Sequence, residues 1–180
     1  MSANLEIKAP VADRAAFRAK AQDLATVTVG VDDQVDTYFR VPRGRLKLRE
    51  SSLSGGQLIP YRRPDDDGPR RADYQVIPVA DPAGLKALLE AMLGVHRVVR
   101  KRRGIWLFEN VRIHLDAVEG LGDFMELEAV FDGTPAAEAE QHRKVAWLMK
   151  ELGVREGELV ATSYEALLAE RSPEGCVHER

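Results

Sequence analysis

Apolar and polar residues alternate along much of the chain. Side chains two apart on a strand share a face. Nine stretches show that period or a β-rich composition: Asn4–Ala9, Gln34–Val41, Arg45–Glu50, Leu58–Arg63, Tyr74–Val79, His96–Arg103, Ile105–Glu109, Val111–Val118 and Phe124–Phe131. Turn formers separate them, among them Pro42-Arg43-Gly44, Ser54-Gly55-Gly56, Arg103-Gly104 and the run from Glu119 to Gly122. Residues 95 to 131 are predicted to form consecutive antiparallel hairpins. Asp81-Pro82 reads as an N-cap and first-turn proline ahead of Leu85, Leu88, Leu89 and Met92, with Gly94 as the stop. Thr134-Pro135 opens a second helix through Val145, Leu148, Met149 and Leu152, ended by Gly153. A third helix spans about Val11 to Leu24, and a short fourth follows Thr162 or Ser163. Many strands with a few helices make this an α+β chain of one domain, residues 1–180.

Splitting each strand by parity is more informative than counting strands. Asn4, Glu6 and Lys8 share one face, opposite Leu5 and Ile7. Arg45, Lys47 and Arg49 oppose Leu46 and Leu48; Lys101 and Arg103 lie with Val99. Arg112, His114 and Asp116 oppose Val111, Ile113 and Leu115, and Glu126 and Glu128 oppose Met125, Leu127 and Ala129. Such faces fit an ordinary sheet turned toward water, or a closed barrel whose polar faces point inward under a coat of helices. The sorting of signs favours the barrel. Arg45-Lys47-Arg49 is wholly basic and Glu126-Glu128 wholly acidic, whereas a solvated face intersperses signs because like neighbours repel. Sorted rows suit a ligand that needs cations for phosphate oxygens and carboxylates for a hard divalent metal.

The overall charge narrows the options further. With 26 Lys+Arg against 29 Asp+Glu the net charge is −3, which argues against a nucleic-acid binder held by bulk charge. A single cysteine, Cys176, leaves no disulfide framework. The absence of a leader-like or membrane-length apolar run makes a cytoplasmic protein without a membrane partner the expectation.

In order along the chain, Asn4-Leu-Glu-Ile-Lys8, Asp36-Thr-Tyr-Phe39, Arg45-Leu-Lys-Leu-Arg49, Tyr61-Arg-Arg-Pro64, Lys101-Arg-Arg103, Arg112-Ile-His-Leu-Asp116, Glu119-Gly-Leu-Gly122, Glu126-Leu-Glu128 and Ser163-Tyr-Glu-Ala-Leu-Leu168 resemble CYTH-domain proteins. That superfamily, the triphosphate tunnel metalloenzymes, includes class IV adenylyl cyclases and thiamine triphosphatase. The resemblance implies an eight-stranded antiparallel β-barrel forming a tunnel open at both ends. It implies Mg²⁺ or Mn²⁺ on Glu6, Asp116, Glu126 and Glu128, and triphosphate on Lys8, Arg45, Lys47, Arg49, Lys101, Arg103 and Arg112. One further cation comes from Arg62 or Arg63, of which Arg63 is carried forward. Lys8 and Arg112 are the expected catalytic cations. The implied activity is metal-dependent hydrolysis of a triphosphate, with ATP, tripolyphosphate or thiamine triphosphate as candidates. The alternatives are cyclisation of ATP to cyclic AMP and pyrophosphate, or polyphosphate or nucleotide binding without turnover. Asn4 stands where the family carries its first Glu, so one anionic ligand is missing.

Other conspicuous residues have plainer readings. His96, His142 and His178 are expected to be structural or solvated, while His114 shares its face with Arg112 and Asp116. Trp106, Phe108 and Trp147 are expected in packing, and the island from Pro64 to Arg71 in a solvated loop.

Overall fold

A computed structural model describes residues 3–62 and 73–171. The island from Pro64 to Arg71, Arg63, Cys176 and His178 lie outside them. Among the described residues, nine strands and four α-helices follow in the order β1 (Ala3–Pro10), α1 (Arg14–Leu24), β2 (Val27–Phe39), β3 (Arg45–Ser51), β4 (Gly55–Arg62), β5 (Asp73–Tyr74), β6 (Ile77–Val79), α2 (Pro82–Leu93), β7 (Val95–Phe108), β8 (Val111–Val118), β9 (Gly122–Phe131), α3 (Pro135–Leu152) and α4 (Tyr164–Arg171).

The helices begin where their caps allow. Asp13 accepts a hydrogen bond from the Ala16 amide, so α1 starts three residues later than the apolar pattern suggests, after Pro10 has closed β1. Asp81 caps α2 through the Gly84 amide, and Thr134 caps α3 through the Ala137 amide. Gly153 ends α3 at φ +80°, a left-handed conformation that costs a glycine little.

The strands form one antiparallel sheet in the order β1-β9-β8-β7-β2-β3-β4-β5, with β6 also on β4. The sheet curls so that the inner faces of its end strands β1 and β4 line one cavity. Among the described residues no backbone ladder joins those two strands. The outer faces of β1, β7, β8 and β9 carry Leu5, Trp106, Ile113, Leu115, Met125 and Leu127, which pack with Phe17 and Ala21 of α1 and Val145, Leu148 and Leu152 of α3. The apolar parity therefore lies under the helices and the charged parity inside the curl. A second apolar cluster, Tyr38, Val99, Val118, Leu121, Phe124 and Tyr164, joins α4 to one end of the sheet.

Four local expectations need correction. Arg103-Gly104 is not a turn: β7 runs unbroken from Val95 to Phe108. A Cβ at Gly104 would come within 2.7 Å of the Trp106 ring, so this glycine makes room for an indole rather than for a bend. β2 starts at Val27 instead of Gln34, and its β-branched opening is masked in sequence by Gly30, which sits at φ +132° in a bulge against Ile105. Tyr74–Val79 divides into β5 and β6, the second a short edge strand that tolerates Pro78. Trp147 is 43% exposed; it lies on Phe108 at a ring separation of 5.2 Å instead of entering the core.

Candidate active site

The curl encloses a cavity of about 320 Å³. Each strand reaches it through the parity that sequence reading marked as polar. β1 supplies Asn4, Glu6 and Lys8, β3 Lys47 and Arg49, β7 Lys101 and Arg103, β8 Arg112, and β9 Glu126 and Glu128. Register explains the assembly: Glu6 stands opposite Glu128 and Lys8 opposite Glu126.

Arg103 organises the buried middle of the site. Its Nε donates to Asp116 Oδ1 at 2.7 Å and one terminal nitrogen to Asp116 Oδ2 at 2.6 Å; that nitrogen also reaches Glu126. Lys101 lies 3.6 Å from Asp116 and Lys8 3.5 Å from Glu126. Burial alone would raise both carboxyls, but Lys101 and Arg103 hold Asp116 below the usual range, and Arg103 foremost holds Glu126 well below it. The same carboxylates keep the Arg103 guanidinium charged despite its burial.

On the opposite wall Asp36 binds Lys47 at 2.8 Å and accepts two bonds from Arg49, each 2.7 Å. Burial is outweighed there by Lys47 and Arg49, which hold the Asp36 carboxyl far below its ordinary value. Burial pushes the Lys47 amine down to about 8, against the pull of Asp36. Sequence reading missed Asp36, although Asp32, Gln34, Asp36 and Tyr38 continue the two-residue alternation along β2. Asp32 is buried too, but it serves the β3–β4 turn, accepting from Ser51, Ser52 and the Leu53 amide.

α4 enters from one end. Tyr164 donates to Asp116 Oδ2 at 2.9 Å, and its ring lies under Lys8 (4.3 Å to the ammonium) and Lys101 (5.2 Å). Ser163 accepts from Arg45, and the buried Glu165 pairs with His96 at 2.8 Å and Arg45 at 3.7 Å. His96 is thus held by a carboxylate that lies far from it in sequence. Arg45 is taken to the start of α4 and is not among the residues lining the main cavity. His114 is buried; its Nδ1 lies 3.7 Å from Glu126, beyond hydrogen-bond reach, and has no other partner among the described residues. Burial, reinforced by the Arg103 charge, lowers the His114 pKa.

The opposite end is more open. Arg112 and Asn4 both donate to Glu128, each at 3.0 Å. Water reaches Glu6 through the cavity, yet the surrounding protein, and next the Glu126 charge, push its carboxyl above the usual range. Among the described residues no three His, Cys, Asp or Glu side chains stand close enough to chelate a cation. The donor chemistry at this end nevertheless fits a hard cation. Asn4 Oδ1 is buried without a hydrogen-bond partner, and Glu6 and Glu128 face each other as like charges that a cation would relieve. Asp116 fits less well, because Arg103 and Tyr164 already occupy its oxygens.

A family model for the CYTH domain matches residues 2–164. The chain is 30% identical over 173 residues to the adenylate cyclase CyaB of Aeromonas hydrophila, covering 91% of this chain and 87% of that protein. Its fold is similar to that of the PH1012 protein of Pyrococcus horikoshii, with a TM-score of 0.75, 27% identity, and coverage of 91% of this chain and 98% of that one. It is also similar to a Vibrio parahaemolyticus protein, with a TM-score of 0.76, 20% identity, and coverage of 93% and 98%. No helix among the described residues is long and apolar enough to cross a membrane.

Proposed function

The chain belongs to the CYTH-domain family, and from that premise we propose that it is a divalent-metal-dependent triphosphatase. The observation that carries this reading is one enclosed cavity with cations on facing walls and carboxylates concentrated on β1 and β9. Phosphoryl transfer depends on positioning and charge neutralisation more than on covalent help.

Lys8, Lys101 and Arg103 on one wall and Lys47 and Arg49 on the other grip the polyphosphate oxygens, while Arg112 guards the open end. Lys8 and Arg112 flank the acidic face, so they are placed to steady charge on the phosphoryl group being transferred. Arg103, fixed by Asp116 and Glu126, has little side-chain freedom left to lose when substrate binds. Asp36 orients Lys47 and Arg49 before substrate arrives, and Tyr164 sets the height of Lys8 and Lys101. Glu6, Glu128 and the Asn4 carbonyl, with Glu126 behind them, would hold Mg²⁺ or Mn²⁺, which when bound supplies Lewis-acid polarisation of phosphate oxygens. Asp116 is the proposed ligand whose present contacts favour a positioning role.

A second reading, cyclisation of ATP, is supported by the 30% identity to the CyaB cyclase. It uses the same grip, with the ribose 3′-hydroxyl attacking the α-phosphorus in place of water. Purified protein incubated with ATP, tripolyphosphate and thiamine triphosphate, each with Mg²⁺ and Mn²⁺, separates the two. Phosphate release supports hydrolysis, cyclic AMP with pyrophosphate supports cyclisation, and binding without turnover defeats both.

The Lys47 amine gives the grip a pH limit. Its charge is present below about 8 and is lost as the pH rises through that value, so the KM for triphosphate should climb on the alkaline side. Lys47→Arg should carry the low-KM range to higher pH, because a guanidinium stays charged there. An unchanged alkaline limb in the variant would remove Lys47 from the grip.

Asn4 supplies a further test. Asn4→Asp replaces the amide that donates to Glu128 with a second carboxylate beside it. The expected result is a modestly tighter Mn²⁺ constant by calorimetry and a lower metal-free melting temperature, both from the added like charge. Weaker Mn²⁺ binding would mean that Asn4 is matched to the site as it stands.

A further inference from the structure

The cavity is charged on all sides but one. Every other strand that lines it contributes at least one ionisable side chain, whereas β4 contributes Gln57 and Ile59. These two stand in register with the cations of β3, Gln57 opposite Arg49 and Ile59 opposite Lys47. Val76, between β5 and β6, lines the same cavity and is exposed, and the buried Tyr38 continues the apolar surface next to Lys47. A strip that is uncharged and largely apolar thus runs directly beside the cationic grip.

Resting on the triphosphate reading of this cavity, we infer that β4 and Val76 form the subsite for an organic group carried by the triphosphate. The substrate is then a triphosphate ester of a flat, apolar-faced ring system and not inorganic tripolyphosphate. Tripolyphosphate is charged along its whole length. Laid against Ile59 and Val76 its oxygens would shed water and gain no partner. A ring system reverses that balance: its face covers Ile59 and Val76, its phosphates stay on Lys47 and Arg49, and its polar edge meets the Gln57 amide, which both donates and accepts. Specificity built this way is a difference between substrates in transition-state binding, so it reads out as a ratio of kcat/KM values.

The experiment measures kcat/KM for ATP, thiamine triphosphate and tripolyphosphate with Mg²⁺ or Mn²⁺, in the wild type, Ile59→Asn and Val76→Ser. The wild type is expected to prefer at least one organic triphosphate over tripolyphosphate by about tenfold or more, and which ester wins identifies the ring. That ratio should fall at least about threefold in either variant. Val76 is exposed, so Val76→Ser keeps the test alive if Ile59→Asn does not fold. Equal use of tripolyphosphate by the wild type, or a ratio held within about threefold in every folded variant, overturns the subsite while leaving the triphosphatase intact. Failure to bind or turn over any of the three compounds overturns the triphosphate reading itself, and this inference with it.

Discussion

Arg103→Met is expected to lower the unfolding free energy by about 3–5 kcal/mol, because it strips the counter-ion from two buried carboxylates at once. Asp116 and Glu126 both depend on this guanidinium, and Asp116 is wholly inaccessible. The size of the loss depends on pH in a definite sense. In the wild type Arg103 holds both carboxyls below their unfolded values. Their contribution is complete above those values, about 4, and is lost as the pH falls through the depressed native ones. In the variant the same groups can take up protons in the folded state. Urea midpoints measured from pH 7 downward should therefore show a gap that narrows in acid. A gap below about 1 kcal/mol at pH 7, or one that stays constant to low pH, would show that the triad is not held as described.

The largest expected loss of activity is for Glu126→Gln and Glu128→Gln, each lowering kcat/KM on the order of 100-fold at saturating Mg²⁺ or Mn²⁺. The amide nearly conserves volume, so charge and ligation are what change. The two differ in stability. Glu128 is only partly buried, and a glutamine oxygen there can still accept from Asn4 and Arg112, so its unfolding midpoint should stay close to wild type. Glu126 sits among Arg103, Lys8 and His114, so neutralising it leaves buried positive charge less balanced and lowers the midpoint as well. Wild-type turnover in both variants would show that neither carboxylate holds metal.

Much of this architecture was legible in the residues because strand parity is local. Whether Glu6 and Lys8 or Leu5 and Ile7 face the helices follows from the two-residue repeat, and the caps at Asp81 and Thr134 declare themselves within four residues. The errors were local signals whose cause is distant. Gly104 resembles a turn residue until Trp106 is seen to fill the space beside it. Asp36 escaped notice because the value of a buried acid lies in the cations of the next strand, Lys47 and Arg49.

By itself the sequence determined which face of each strand is charged, how the signs are sorted, and where the helices start and stop. Those properties depend on neighbours one to four residues away. Only the tertiary structure decided which charges meet. Asp116 went to Arg103 and Tyr164, and Arg45 left the cavity for the start of α4. Neutral β4 came to face the cations of β3 across one register. Ion pairs and cavities are set by pairing register and by the curl of the sheet, which bring residues together across separations of up to more than a hundred positions, as Asn4 and Glu128 illustrate. No local pattern encodes that geometry.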